Sequence, residues 1–132
     1  METKQSAKIL IVEDENITAK ALEYSLKDAG YHVVGVVSSG EEAIRRSASM
    51  QPDLVLMDIR LKGIIDGVSA AQRIQASLDI PVIYLTAHSD TETLKRAMHS
   101  NPYGYIVKPF VEKELYDAVE QALYRHGLKQ KK

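Results

Sequence analysis

The stretch LVLMDIRLKG, residues 54–63, runs four apolar residues straight into an aspartate. Leu54-Val55-Leu56-Met57 has no polar alternation, which predicts a strand buried on both faces, as in a parallel sheet covered by helices. Asp58 then stands where the chain leaves that strand. An aspartate at such a point can cap a helix or begin a turn, or it can carry chemistry. The other strand ends decide between these readings.

Working outward, strand signals recur at residues 8–12 (KILIV), 33–37, 82–85 and 103–107. Helical spacing fills the intervals. Ile17, Ala21, Leu22, Leu26 and Ala29 stripe a helix over 16–29, ended by Gly30. Ser39-Gly40-Glu41-Glu42 has capping-box spacing and opens a helix to about Met50. Val68, Ala71, Ile74 and Leu78 stripe the third helix, with Asp66 as its cap. Ser89-Asp90-Thr91-Glu92 repeats the box before Leu94, Ala97 and Met98. Val111, Leu115, Val119, Ala122 and Leu123 line a last helix to about His126, with Gly127 as its terminator. Strict β-then-α alternation predicts an α/β fold, a doubly wound five-stranded parallel sheet with helices on both faces.

In such a sheet all strand C-termini emerge at one edge, where ligands bind. Glu13 and Asp14 follow the first strand, Asp58 the third, Thr86 the fourth and Lys108 the fifth. Two carboxylates about 5 Å apart repel by roughly 3 kcal/mol at an effective dielectric of 20. Three acids on one edge therefore call for a cation or for raised pKa values. Oxygen-only ligands suit a hard divalent ion, Mg²⁺ most naturally. Lys108 and Thr86 suit phosphoryl oxygens, and an aspartate between a metal and a lysine can act as a nucleophile towards phosphorus. These residues point to phosphoryl transfer onto Asp58.

Composition narrows the class. The chain has 132 residues, 17 Lys plus Arg and 18 Asp plus Glu, a formal charge of −1. That suits one domain and leaves no electrostatic footprint for nucleic acid or an anionic membrane. Without cysteine, disulfides and thiolate metal sites are excluded. No apolar run approaches the roughly 20 residues of a membrane span, and METKQSA lacks a signal segment. The expectation is a cytoplasmic domain over residues 8–126, with a flexible N-terminus at 1–7 and an exposed tail at 127–132 that is frayed or marks a cut in a longer protein.

The fragments ILIVEDE, PDLVLMDIRL, DGVSAA, IPVIYLTAHSD and YGYIVKPF occur in an order and at spacings by which the chain, over about residues 7–126, resembles the receiver domain of two-component response regulators. The resemblance implies the flavodoxin-like (βα)5 fold with strand order 2-1-3-4-5. It implies Asp58 as phosphate acceptor, phosphorylated by a partner histidine kinase or phosphotransfer protein. Asp14 is then the main acidic ligand of Mg²⁺, with Glu13 acting largely through water and the backbone carbonyl of Arg60 completing the protein's share. Thr86 is the hydroxyl that moves to the phosphoryl group, Lys108 its cation, and Tyr105 the aromatic that swings inward when Thr86 moves. The same resemblance implies a cis Lys108–Pro109 bond, and self-association or partner binding through the face of the fourth helix, fifth strand and fifth helix. His32, His99 and His126 are expected at the surface.

The chain departs from the family's pattern between Asp58 and Asp66-Gly67, which holds one residue more than in many relatives, with LKG in place of a common Met-Pro pair. Arg60 and His88, each two beyond a site residue, are uncommon there and could shield an aspartyl phosphate. Two rival readings are a phosphohydrolase with an aspartyl nucleophile and a receiver-like module that is never phosphorylated. The first needs an acid where Arg60 stands; the second leaves the retained Glu13, Asp14, Asp58, Thr86 and Lys108 without a role. The expected protein is not an enzyme, beyond promoting its own phosphorylation and dephosphorylation. No nucleic-acid or membrane partner is expected of this domain.

Overall fold

A computed structural model describes residues 7–61, 63–87 and 89–130. The expected flexible start therefore lies outside the described residues except for Ala7, as do Lys62, His88 and the last two residues. Strands and helices alternate: β1 (Lys8–Val12), α1 (Asn16–Asp28), β2 (His32–Val37), α2 (Gly40–Met50), β3 (Leu54–Asp58), α3 (Gly67–Leu78), β4 (Val82–Ala87), α4 (Thr91–Met98), β5 (Gly104–Lys108) and α5 (Glu112–Gln130). The strands form one parallel sheet in the order β2-β1-β3-β4-β5.

Double burial explains the unbroken apolar runs. Along β1 and β3, Ile9, Ile11, Leu54 and Leu56 face α1 and α5, meeting Leu22, Leu26, Leu115 and Val119. Their alternates Leu10, Val12, Val55 and Met57 face the other layer, where Val68, Ala71 and Ile74 of α3 close the core. Each fully buried Leu or Ile contributes about 1.5–3 kcal/mol, and these central strands expose neither face.

Helix ends follow the sequence signals in most places. Gly30, at φ +99°, ends α1: its N–H donates to the Lys27 carbonyl and that of Tyr31 to Leu26, a Schellman arrangement. Ser39 caps α2 by accepting from the Glu42 N–H at 3.2 Å, and Asp66 caps α3 by accepting from Ser69 at 2.8 Å.

Four expectations need correction. Ile17 and Ala21 are exposed, Ile17 at 84%; the buried stripe of α1 is Ala19, Leu22, Ser25 and Leu26. The box at Ser89–Glu92 is not made: Asp90 is the N-cap of α4 and its side chain makes no capping bond. Gly127 does not end α5, which runs to Gln130, so the segment 127–132 expected as a tail is helical over most of its length. One interior glycine costs a helix only about 1 kcal/mol, and no left-handed turn is imposed at Gly127. His126 is not a free surface residue; its Nε2 lies 2.8 Å from the Asp79 carbonyl oxygen and its ring meets Tyr103 edge-on.

Candidate phosphoryl-acceptor site

The strand exits deliver the acidic groups to one edge. Glu13 is fixed as the chain leaves β1, its N–H donating to the Val37 carbonyl at the end of β2. Its carboxylate accepts from the Glu15 N–H at 3.1 Å and is only 2% exposed as a residue. Asp14 beside it is half-buried. Asp58 is the last residue of β3, in register with Leu85, and is 3% exposed. Carboxylate oxygens of Glu13, Asp14 and Asp58 all lie within 4.8 Å of one another.

Lys108, the last residue of β5, reaches into this cluster. Its Nζ donates to Asp58 Oδ2 at 2.9 Å and to Glu13 Oε1 at 3.1 Å. The bond from Lys108 to Pro109 is cis. Burial alone would lower the ammonium's pKa, but the hydrogen bonds and charges of Asp58 and then Glu13 hold it above the usual lysine value. Burial, followed by the hydrogen bond and charge of Asp58, pushes the Glu13 carboxyl up to about 7 against the opposing pull of Lys108. One ammonium among three carboxylates leaves excess negative charge in a cleft whose donors are all oxygen. That donor set fits a hard divalent cation such as Mg²⁺, which the cluster of Glu13, Asp14 and Asp58 could hold.

The neighbouring groups are equally specific. The Arg60 N–H donates to Asp58 Oδ1 at 2.9 Å and fixes the carboxylate's plane. The Arg60 side chain reaches Asp90, with Nε 2.6 Å from Oδ1. Thr86 is buried, and its hydroxyl donates to the Ala87 carbonyl at 3.3 Å rather than to a charged group of the cluster. Tyr105 pairs in register with Tyr84, two residues before Thr86, so it shares that face of the sheet; it is 47% exposed. Gly67 lets α3 start against the end of β3: a Cβ there would sit 2.1 Å from the Asp58 carbonyl oxygen. The longer connection from β3 to α3 is held by Glu41, whose carboxylate accepts from the N–H groups of Ile64 and Ile65 at 3.2 and 3.3 Å.

The structure thus brings Glu13, Asp14, Asp58, Arg60 and Lys108 around one cleft; Ala87 is the β4 residue that lines it, whereas Thr86, buried, and Tyr105 do not. Asp90 also lines the cleft and was read from the sequence only as part of a helix start. Its partnership with Arg60 joins residues thirty apart, and no local pattern announces it.

Comparison with known proteins establishes the family. Residues 9–120 match the family described as the response regulator receiver domain. The transcriptional regulatory protein PdtaR of Mycobacterium tuberculosis is 36% identical over 118 residues, 89% of this chain and 57% of that protein. The chain spans about half the length of the curated relatives it matches. The signal receiver domain of a modulated diguanylate cyclase from Desulfovibrio desulfuricans G20 superposes with a TM-score of 0.89 at 40% identity, covering 94% of this chain and 98% of that one. The receiver domain of sensor histidine kinase PA1611 from Pseudomonas aeruginosa PAO1, solved with a magnesium ion in its active-site cleft, gives 0.80 at 30% identity, covering 89% and 98%. With its 2-1-3-4-5 sheet and acidic strand exits, this chain belongs to the response regulator receiver domain family.

Proposed function

We propose that the domain accepts a phosphoryl group on Asp58 from the phosphohistidine of a partner kinase or phosphotransfer protein, with Mg²⁺ bound beside it. The observation that supports this most is the Lys108 ammonium bonded to both Asp58 and Glu13 beside a third carboxylate, Asp14. Asp14, Asp58 and, through water, Glu13 would hold the ion, together with the backbone carbonyl of Arg60. When bound, Mg²⁺ supplies the positive charge that lets an anionic donor approach these acids.

A carboxylate oxygen of Asp58 attacks phosphorus as the P–N bond to the donor histidine breaks, and the bonding pair leaves with the imidazole nitrogen. The Arg60 N–H keeps the carboxylate oriented, and Lys108 transfers its pairing from Asp58 to a phosphoryl oxygen. The Thr86 hydroxyl, now on a backbone carbonyl, turns to a second phosphoryl oxygen, and Tyr105 follows inward on the same face. The altered surface is that of α4, β5 and α5, through which the domain binds a partner or a second copy of itself.

The domain is not an enzyme acting on an external metabolite. Position 60 offers a guanidinium where a phosphohydrolase needs a leaving-group acid, and that guanidinium is already tied to Asp90. Among the described residues no helix is long and apolar enough to cross a membrane. Phosphorylation by acetyl phosphate should require Mg²⁺, and Asp14→Ala should weaken Mg²⁺ binding and slow phosphorylation together. Equal rates with and without excess chelator would contradict the proposal.

A further inference from the structure

We infer that Arg60 and Asp90 form a latch between the acceptor loop and α4, which a phosphoryl group on Asp58 opens by drawing the guanidinium away. This rests on the receiver chemistry above and assigns Asp90 a part in it. The Asp90 side chain is 9% exposed and its Oδ1 sits 2.6 Å from Arg60 Nε, while the Arg60 backbone N–H bonds Asp58 itself. One residue therefore touches the acceptor with its main chain and the start of α4 with its side chain.

Asp90 is also the N-cap residue of α4, yet its carboxylate does not cap. Ser39 and Asp66, in the same position on α2 and α3, each accept a hydrogen bond from the third residue on. Two features keep the Asp90 carboxylate from capping: it is engaged by Arg60, and its backbone, at φ −100° and ψ 38°, is not extended as at Ser39 and Asp66, so capping needs release of Arg60 and a turn of this residue together. α4 is held to the body weakly, since Ala97 is its one buried residue. The pair of Arg60 with Asp90 and that of Arg96 with Asp66, at 2.8 Å, are two ties of this helix to the β3–α3 side.

A phosphoryl group on Asp58 places about two negative charges beside the residue that carries the guanidinium. Planar guanidinium binds phosphate through paired N–H donors and prefers it to a single carboxylate oxygen. Once Arg60 turns, the enclosed Asp90 carboxylate has lost its counter-charge and must find other donors. The N–H groups of Glu92 and Thr93, in the first turn of α4, are those its cap position serves. Loss of the latch and gain of the cap are then one event, and α4 changes its hold on the domain.

The test is amide exchange by NMR on the Mg²⁺-loaded protein, with and without beryllofluoride as phosphoryl analogue, following Glu92, Thr93 and the Arg60 Nε–H. In the wild type, the analogue should slow exchange at Glu92 and Thr93 by about fivefold and shift the Arg60 signal. Arg60→Ala should show that protection without analogue. Asp90→Asn, which can cap but cannot pair as an ion, should do the same, and Asp90→Ala should show it in neither state. A merely structural pair would lower stability in all three variants without this pattern. Unchanged exchange in the wild type with analogue bound, or no protection in Arg60→Ala, would overturn the latch. The Arg60→Ala arm needs no analogue, so failure of the wild type to bind beryllofluoride would refute the receiver chemistry separately.

Discussion

Replacing Glu13 with Gln should make the metal-free protein more stable in alkali and leave it nearly unchanged in acid. Glu13 is almost fully buried beside Asp58, and its carboxyl is raised from the usual 4.5 to about 7, by burial first and then by Asp58. A carboxyl held so far above its unfolded value costs the fold about 3 kcal/mol once ionised. The sign follows from proton binding. Over the window from about 4.5 to about 7 the folded state holds a proton that the unfolded chain has released, so stability falls as pH rises through it. Below that window both states are protonated and the contribution is intact; above it the loss is complete. Gln cannot ionise, so its advantage over the wild type should grow by about 3 kcal/mol between about pH 4 and pH 8.5. Urea unfolding with chelator present, repeated across that range for both proteins, measures the difference; groups remote from Glu13 cancel, while Asp58 and Lys108, which touch it, titrate with it as one cluster. A difference that stays constant with pH would refute the raised carboxyl, and with it the crowding of acids at this edge. Saturating Mg²⁺ should reverse the order, because the wild type then gains the ion's binding energy and the variant gains less.

Gly67→Ala should destabilise the domain by about 2–3 kcal/mol, because its Cβ would meet the Asp58 carbonyl oxygen and the Ile59 Cα, neither of which can yield cheaply. Urea midpoints check this, and a neutral result would show that α3 can back away from the acceptor. Arg60→Ala and His88→Ala should each shorten the lifetime of phosphorylated Asp58 after donor removal, an expectation drawn from their sequence positions two beyond Asp58 and Thr86, where a long side chain can shield phosphorus from water. About 1.4 kcal/mol of lost barrier gives a tenfold faster decay, and decay no faster in either variant would remove the shielding role.

Buried strands were the most legible part of the sequence, because double burial writes unbroken apolar runs into Ile9–Val12 of β1 and Leu54–Met57 of β3. The acidic exits were legible for a related reason: a charged residue ending such a strand has nowhere to go but the sheet edge. Helix faces were less so. Ile17 and Ala21 are four apart, a helical spacing, yet on the wheel of α1 they fall opposite Ala19, Leu22 and Leu26, and both stay exposed. Gly127 carries the local signature of a helix end, but termination needs a turn after it as well as a permissive residue, and α5 continues. Asp90 shows the limit of local pattern. Its spacing suggests an ordinary helix start, whereas its carboxylate is claimed by Arg60 from another strand exit. Tertiary partners of that kind have no periodicity to betray them. The ring of Tyr105 illustrates the complementary case, for the register that puts it on the Thr86 face emerges only once β4 and β5 are paired.

The central claim is that Asp58 is the phosphoryl acceptor, and intact-protein mass spectrometry after incubation with acetyl phosphate and Mg²⁺ tests it most directly. The wild type should gain a single phosphoryl group that is lost on alkaline treatment, as an acyl phosphate is. Asp58→Asn keeps the shape of the side chain while removing the nucleophilic charge, so it should gain none. Labelling of the Asn variant to the wild-type extent would contradict the assignment.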